Sequence, residues 1–230
     1  MKIGSSLVVD RHHKWTKVRI VAHLGGIFVL VLKRASSKPS VYFTLTLRYA
    51  KVMGPIIRHF DDTVSTAIRS LPIGLGWLMA SATLIGSPVI VMSLFLGIGL
   101  FALVRSRWHL VWASVGVFVV IGFNTLIKLT FQRIRPTTEY AAHMWFKTYS
   151  FPSGHSCVSM VGYGLLAYFA VKLLPFPLNI IVAVALACLI LLVGVSRIYL
   201  GAHYPSDVLA GWLVGAIGLL VIIFFVRPLA

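Results

Sequence analysis

The chain reads as an all-α bundle of membrane-spanning helices. Three observations predict this fold class. Of the 230 residues, 59% are hydrophobic and only 11% charged. Apolar runs of helix-spanning length recur from Trp77 to the C-terminal end, and each is closed off by basic residues or by proline. Such a composition is too apolar for a soluble domain of this size, and a helix needs about 20 apolar residues to cross a bilayer. The net charge of +16 does not indicate nucleic acid, because the basic residues are dispersed between apolar runs and no nucleic-acid-binding fold is readable. The partners expected are the lipid bilayer and an anionic lipid. No protein partner is indicated.

The elements follow in chain order. Residues 1–17 form a basic arm with Lys2, Arg11, Lys14 and Lys17 beside His12 and His13, and they carry no cleavable-signal pattern. Residues 18–32 are apolar apart from Arg19 and His23, but Gly25-Gly26 interrupts a run that is already short for a crossing. Residues 41–58 mix aromatic and aliphatic residues with Arg48, Lys51 and Arg58, as an amphipathic helix lying in the interface does. Asp61-Asp62 invites a metal-binding reading. The chain has only five Asp and Glu in all, too few to complete such a site, so a helix cap or surface position is expected. Residues 1–76 are thus set apart from a membrane core at 77–230.

Five clear spans make up that core: 77–104, 108–129, 154–174, 178–195 and 207–226. Arg105 and Arg107 separate the first two, and Pro175 and Pro177 mark a tight turn between the third and fourth. Gly211 and Gly215 give the last span a small-xxx-small packing face. Cys157 and Cys188 fall inside apolar runs without paired or metal-site spacing, and both read as buried thiols. Span parity places residues 130–152 and 196–206 on the same side of the membrane, so the polar groups of both loops can meet.

Those groups suit phosphate. Lys128 and Arg135 are two helical turns apart, about 10 Å if the helix continues, and Arg197 ends another span. Guanidinium groups bind phosphate oxygens in bidentate fashion and lysine adds a point charge. Arg133, Arg105 and Lys172 read instead as anchors that snorkel to the membrane surface. Ser153 can cap the helix that begins at Gly154, whose free amides attract anions, and His155 projects from the same turn. His203 and Asp207, four residues apart, form a dyad in which the carboxylate fixes the imidazole tautomer. Alone, His-x3-Asp or Pro-Ser-Gly-His is a weak signal.

Written together, K-x6-R-P at 128–136, P-S-G-H at 152–155 and S-R-x5-H-x3-D at 196–207 resemble the three signature motifs of the type 2 phosphatidic acid phosphatase superfamily. The resemblance implies a membrane lipid phosphatase acting on a lipid phosphate or diphosphate. It implies His203 as nucleophile, His155 as general acid and Asp207 as the partner of His203, with Lys128, Arg135, Ser153, Gly154 and Arg197 on the phosphate. No cofactor is expected, and with so few carboxylates no metal site. Vanadium haloperoxidases share the constellation but resemble soluble proteins. A noncatalytic lipid-binding or transport protein on the same fold is the alternative. Bacterial relatives are similar in having six spans and an outward-facing site in the cell membrane. That arrangement requires residues 18–32 to cross, with Arg19 and Lys33 snorkelling from a short helix.

Overall fold

The structure, a computed structural model, describes residues 18–24, 27–32, 41–143 and 148–226, with side-chain surroundings from residue 54 onward. The basic arm at 1–17 lies outside the described residues. Two short strands come first: β1 (Val18–Leu24) pairs antiparallel with β2 (Ile27–Leu32), Val18 opposite Leu32. This corrects the expected first span. Valine- and isoleucine-rich segments of this length favour strands, and neither strand approaches the length of a membrane-crossing helix.

The rest is helical, as the sequence predicts. Helix α1 (Val41–Arg69) continues well past the expected interfacial segment. A 3-10 turn (Ile73–Leu75) leads into α2 (Gly76–Ile85) and α3 (Pro88–Val104). Then come α4 (Trp108–Phe131), a short α5 (Glu139–Ala142), α6 (Gly154–Leu173), α7 (Leu178–Tyr199) and α8 (Pro205–Val226). Among the described residues five segments are long and apolar enough to cross a membrane, the first running through the turn, α2 and α3. The protein is a multi-pass membrane protein.

One span differs from the sequence expectation. The span predicted at 77–104 is broken at Gly86-Ser87. Pro88 cannot donate to the preceding turn, whereas at the first position of a new helix its missing N–H costs nothing, and the Ser87 hydroxyl caps α3 by accepting from the Ile90 amide. A Cβ on Gly86 would lie 2.4 Å from Val193, so α2 ends tightly against α7. Helix α4 stops at Phe131, with Gln132 in the left-handed region at φ 48°. Arg135 therefore stands on the loop expected at 130–152, and the two-turn helical spacing from Lys128 does not apply.

Helix α6 is the most enclosed span and packs against α3, α4, α7 and α8. Its Val158, Val161 and Leu165 join Val91, Phe95 and Val117 in the core. The outer faces present residues such as Leu100, Val119, Leu213 and Phe224, as expected of helices solvated by lipid. Acyl chains are as apolar as leucine, so helices associate here through close packing more than through the hydrophobic effect. Gly211 and Gly215 supply that closeness. Cβ atoms there would lie 2.5 Å from the Ser153 carbonyl oxygen and 2.6 Å from that of Cys157, confirming their packing role. Of the two cysteines, Cys157 is buried as expected, whereas Cys188 is exposed on the lipid-facing side of α7.

Overpacking against rigid backbone typically costs 1–3 kcal/mol. Gly211→Val should therefore lower the thermal midpoint in detergent by several degrees and shift the start of α6 at Ser153. Gly97→Ala, where a Cβ meets nothing within 4 Å, should leave the midpoint unchanged. Differential scanning fluorimetry on the two purified variants checks the pair.

Candidate active site

Helices α4 and α7 end, and α6 and α8 begin, on one side of the bundle. This satisfies the span parity read from the sequence. The loop after α4 and the turn between α7 and α8 close over a cavity of about 610 Å³. Lys128, Arg135, Gly154, His155, Arg197 and His203 all line it, so three separate sequence segments converge as predicted.

The turn from α7 to α8 is tightly built. The amides of Ala202 and His203 both donate to the Arg197 carbonyl, at 3.0 and 3.2 Å, tying a cation and an imidazole into one unit. Gly201 makes the turn possible: its φ is 72°, and a Cβ there would lie 2.7 Å from Thr138. Thr138 in turn donates its hydroxyl to the Gly201 carbonyl at 2.8 Å. Pro205 occupies the first position of α8, which brings Asp207 into the opening turn.

His203 is 1% exposed and Asp207 fully buried. Nδ1 of His203 lies 3.5 Å from Asp207 Oδ2, at the long end of polar contact. On the other side of the ring, Arg135 Nη1 donates to Nε2 at 3.1 Å. A guanidinium has no acceptor, so Nε2 offers its lone pair and the proton of the neutral ring sits on Nδ1, toward Asp207. Burial, opposed by hydrogen bonding to Asp207 and reinforced by the Arg135 charge, pushes His203 down to about 3.

The cations are held from behind. Lys128 Nζ donates to the carbonyls of Tyr149 and Pro152, both at 2.8 Å. Arg135 donates to the Thr148 carbonyl at 2.8 Å and the Ala202 carbonyl at 2.9 Å. Burial, followed by repulsion from Arg197, lowers Arg135 to about 10, still charged at neutral pH. Arg197 is 1% exposed. Its Nη1 donates to Thr83 Oγ1 at 3.0 Å, while Nε and Nη2 meet no partner among the described residues.

Ser153 departs from expectation. It is fully buried, its hydroxyl accepts from the Ser156 amide and hydroxyl, and its own amide donates to the Asp207 carbonyl at 2.9 Å. It caps α6 and is absent from the cavity wall, which Gly154 reaches.

Sequence reasoning also misplaced Arg133 and Asp61. Arg133 is no surface anchor: Nη1 pairs with Asp207 Oδ1 and Nη2 with Asp61 Oδ2, both at 2.7 Å, and the guanidinium stacks 4.2 Å from the Tyr204 ring centroid. Burial works against its charge, but Asp207 and Asp61 together raise its pKa above the ordinary value. Asp61 is 1% exposed and accepts from the Ser206 amide at 2.8 Å and hydroxyl at 2.7 Å. Only Asp62 lies at the surface as expected. Ser150, unremarked in the sequence, donates its hydroxyl to Asp207 Oδ2. Arg105 and Lys172 are exposed, in keeping with anchoring.

Comparison with known proteins places this arrangement. The model of the PAP2 superfamily matches residues 109–229. Over 190 residues the chain is 30% identical to phosphatidylglycerophosphatase B of Bacillus subtilis, covering 76% of this chain and 88% of that protein. It is 34% identical over 113 residues to undecaprenyl-diphosphatase of Sulfolobus acidocaldarius, covering 45% and 51% of the two chains. Among solved structures, the transmembrane PAP2 type phosphatidylglycerolphosphate phosphatase from Bacillus subtilis superposes with a TM-score of 0.68 at 26% identity, over 82% of this chain and 95% of that one. The family match takes in more than half of the chain and contains all three motif segments that meet at the cavity: the protein belongs to the PAP2 superfamily.

Proposed function

We propose that the protein is a metal-independent lipid phosphatase that works through a phosphohistidine. As a PAP2 member whose named relatives are phosphatases, it is a phosphoric ester hydrolase. The observation that carries the finer reading is Arg197: a buried guanidinium with two unpartnered donors beside a neutral, buried imidazole. Leaving such donors unmet is costly in a protein interior, and a phosphate oxygen meets them. Lys128, Arg135 and Arg197 line the cavity, and in this reading they supply the electrostatic stabilisation of the transferred phosphoryl group. At ~4 Å and an effective dielectric near 20, each cation contributes a Coulomb attraction of about 4 kcal/mol before desolvation is subtracted.

In this mechanism Nε2 of His203 attacks phosphorus while His155 protonates the departing lipid oxygen. The P–O bond breaks, an N–P bond forms, and the imidazolium proton on Nδ1 faces Asp207. Arg135 leaves Nε2 for the phosphate oxygens. His155, now neutral, takes a proton from water, which attacks phosphorus, releases inorganic phosphate and restores His203. The activities that name the relatives support a lipid monophosphate or diphosphate such as phosphatidylglycerophosphate or undecaprenyl diphosphate; phosphatidic acid suits the same phosphate site.

His203→Ala should abolish both turnover and phosphoenzyme trapping, while a carrier or lipid-binding protein would keep its activity. His155→Ala should slow lipid hydrolysis by about 10²–10⁴-fold, the usual contribution of a general acid. Part of that loss should return with an aryl phosphate whose leaving group needs no proton. Equal loss on both substrates would contradict the assignment.

The pH dependence follows from the low His203 pKa. A nucleophilic imidazole is active above its pKa and is lost as pH falls through it. With His203 at about 3, phosphoenzyme formation should hold down to about pH 5 once the phosphate's own ionisation near ~6 is allowed for. An acid limb near the ordinary histidine value of about 6.5, assigned to His203 by NMR titration, would overturn this.

For the side of the membrane, we take the outward-facing opening that the family resemblance supports; with β1 and β2 in place of a first span, this puts α1 on the outer face together with the site. Charge favours the reverse: if only the five described spans cross, all but Arg105, Arg107, Lys172 and Arg227 of the 21 Lys and Arg lie on the site side, which the positive-inside bias assigns to the cytoplasm. Cysteine labelling decides. In a Cys157→Ala, Cys188→Ala background, Thr137→Cys should react with an impermeant maleimide in intact cells, and Ser106→Cys only after permeabilisation. The reversed pattern means a cytoplasmic site.

A further inference from the structure

Asp207 and Arg133 pair at 2.7 Å, which taken alone raises a difficulty. Asp207 is the charge that must stabilise His203 when the ring becomes a phosphorylated imidazolium, yet a neighbouring guanidinium at that distance neutralises it. The environment is nearly dry, with Asp207 fully buried, so the field of each charge is weakly screened. Asp61 changes the charge count. Its Oδ2 holds the other nitrogen, Nη2, at the same distance of 2.7 Å, so one guanidinium is shared between two carboxylates. The cluster of Asp61, Arg133 and Asp207 carries a net charge of −1 with Asp61 ionised and zero without it.

Asp61 comes from α1, outside the matched family region at 109–229, and its hydrogen-bond and ion-pair partners among the described residues, Arg133 and Ser206, do not line the cavity. It reaches the reaction only through Arg133, and through the Ser206 amide and hydroxyl at the start of α8. We propose that Asp61 is a positioning residue for phosphoryl transfer: by sharing Arg133 with Asp207, it leaves the cluster one net negative charge to stabilise the phosphorylated imidazolium of His203. The cost of the arrangement is a second buried carboxylate. It is offset by the two Ser206 contacts and by the ion pair, which satisfy both oxygens of Asp61.

This inference rests on the phosphohistidine mechanism proposed above, and the experiment keeps the two separable. Rapid-quench trapping of phosphoenzyme from radiolabelled phosphatidic acid in mixed micelles measures the first chemical step on the full chain. Asp61→Asn keeps the shape and hydrogen-bonding capacity of the side chain but removes its charge. It should slow phosphoenzyme formation about tenfold or more, with KM within about threefold of wild type. Adding Arg133→Gln restores the net charge of −1, because Asp207 then stands alone. The double variant should form phosphoenzyme at least about threefold faster than Asp61→Asn.

A purely structural role for Asp61 gives the opposite order, since the double variant loses still more contacts. A double variant no faster than the single, or an Asp61→Asn rate equal to wild type, overturns the proposal. Where Asp61→Asn yields no folded protein, the double variant decides alone. A rate within about tenfold of wild type supports the charge count, and a loss as complete as that of His203→Ala refutes it. Wild type that hydrolyses the lipid without any trappable phosphoenzyme refutes the underlying mechanism instead.

Discussion

A carboxylate buried at the mouth of a membrane bundle is the constraint around which this structure is arranged. Asp207 sits in the first turn of α8 with no exposure, where an uncompensated charge would cost several kcal/mol. Every polar direction around it is filled. Arg133 takes one oxygen, Ser150 and the Tyr204 amide take the other, and the imidazole of His203 completes the shell. These partners come from the loops on either side of the cavity, so satisfying one charge also fixes how those loops fold together. The carbonyl of the same residue accepts the Ser153 amide, which locks the start of α6 to the start of α8.

The basic residues then divide by whether their charge is already answered. Arg133 is matched by two carboxylates and faces away from the cavity wall. Lys128, Arg135 and Arg197 have only neutral partners, carbonyls and hydroxyls. Three cations without counterions around one cavity repel each other, and repulsion from Arg197 adds to the larger effect of burial in lowering Arg135. On the proposed mechanism an incoming dianion would relieve that repulsion, which would add to the affinity for phosphate.

How much of this was legible in the sequence depended on whether the information was local. Apolar run lengths located the five spans, and counting them in order put both loops on one side. The types of residue at 128, 135, 155, 197, 203 and 207 named the groups that meet. Helix interruption was harder. The Gly86-Ser87 break is marked only by a Ser-Pro pair within a long apolar stretch. Partnership was hardest of all. Nothing near Arg133 distinguishes it from a membrane-edge anchor, because both of its carboxylate partners are distant in sequence, and Asp61 looks like its exposed neighbour Asp62 until α1 is docked on α8. Residues 18–32 mislead for a different reason: an apolar stretch too short to cross can satisfy its backbone by pairing with itself, as β1 and β2 do.

The break between α2 and α3 has a further consequence for how this enzyme meets its substrate. Ser87, Pro88 and Val89 line the cavity, and Val89 is also 68% exposed on the outer face of the bundle. The cavity wall thus shares Val89 with the perimeter, and a lipid phosphate that entered beside it would keep its tails among their neighbours. Encounter then becomes diffusion in a plane. The concentration that sets the rate is the fraction of lipid molecules in the leaflet that carry the phosphate, and adding inert lipid dilutes the substrate even when its amount per volume is unchanged.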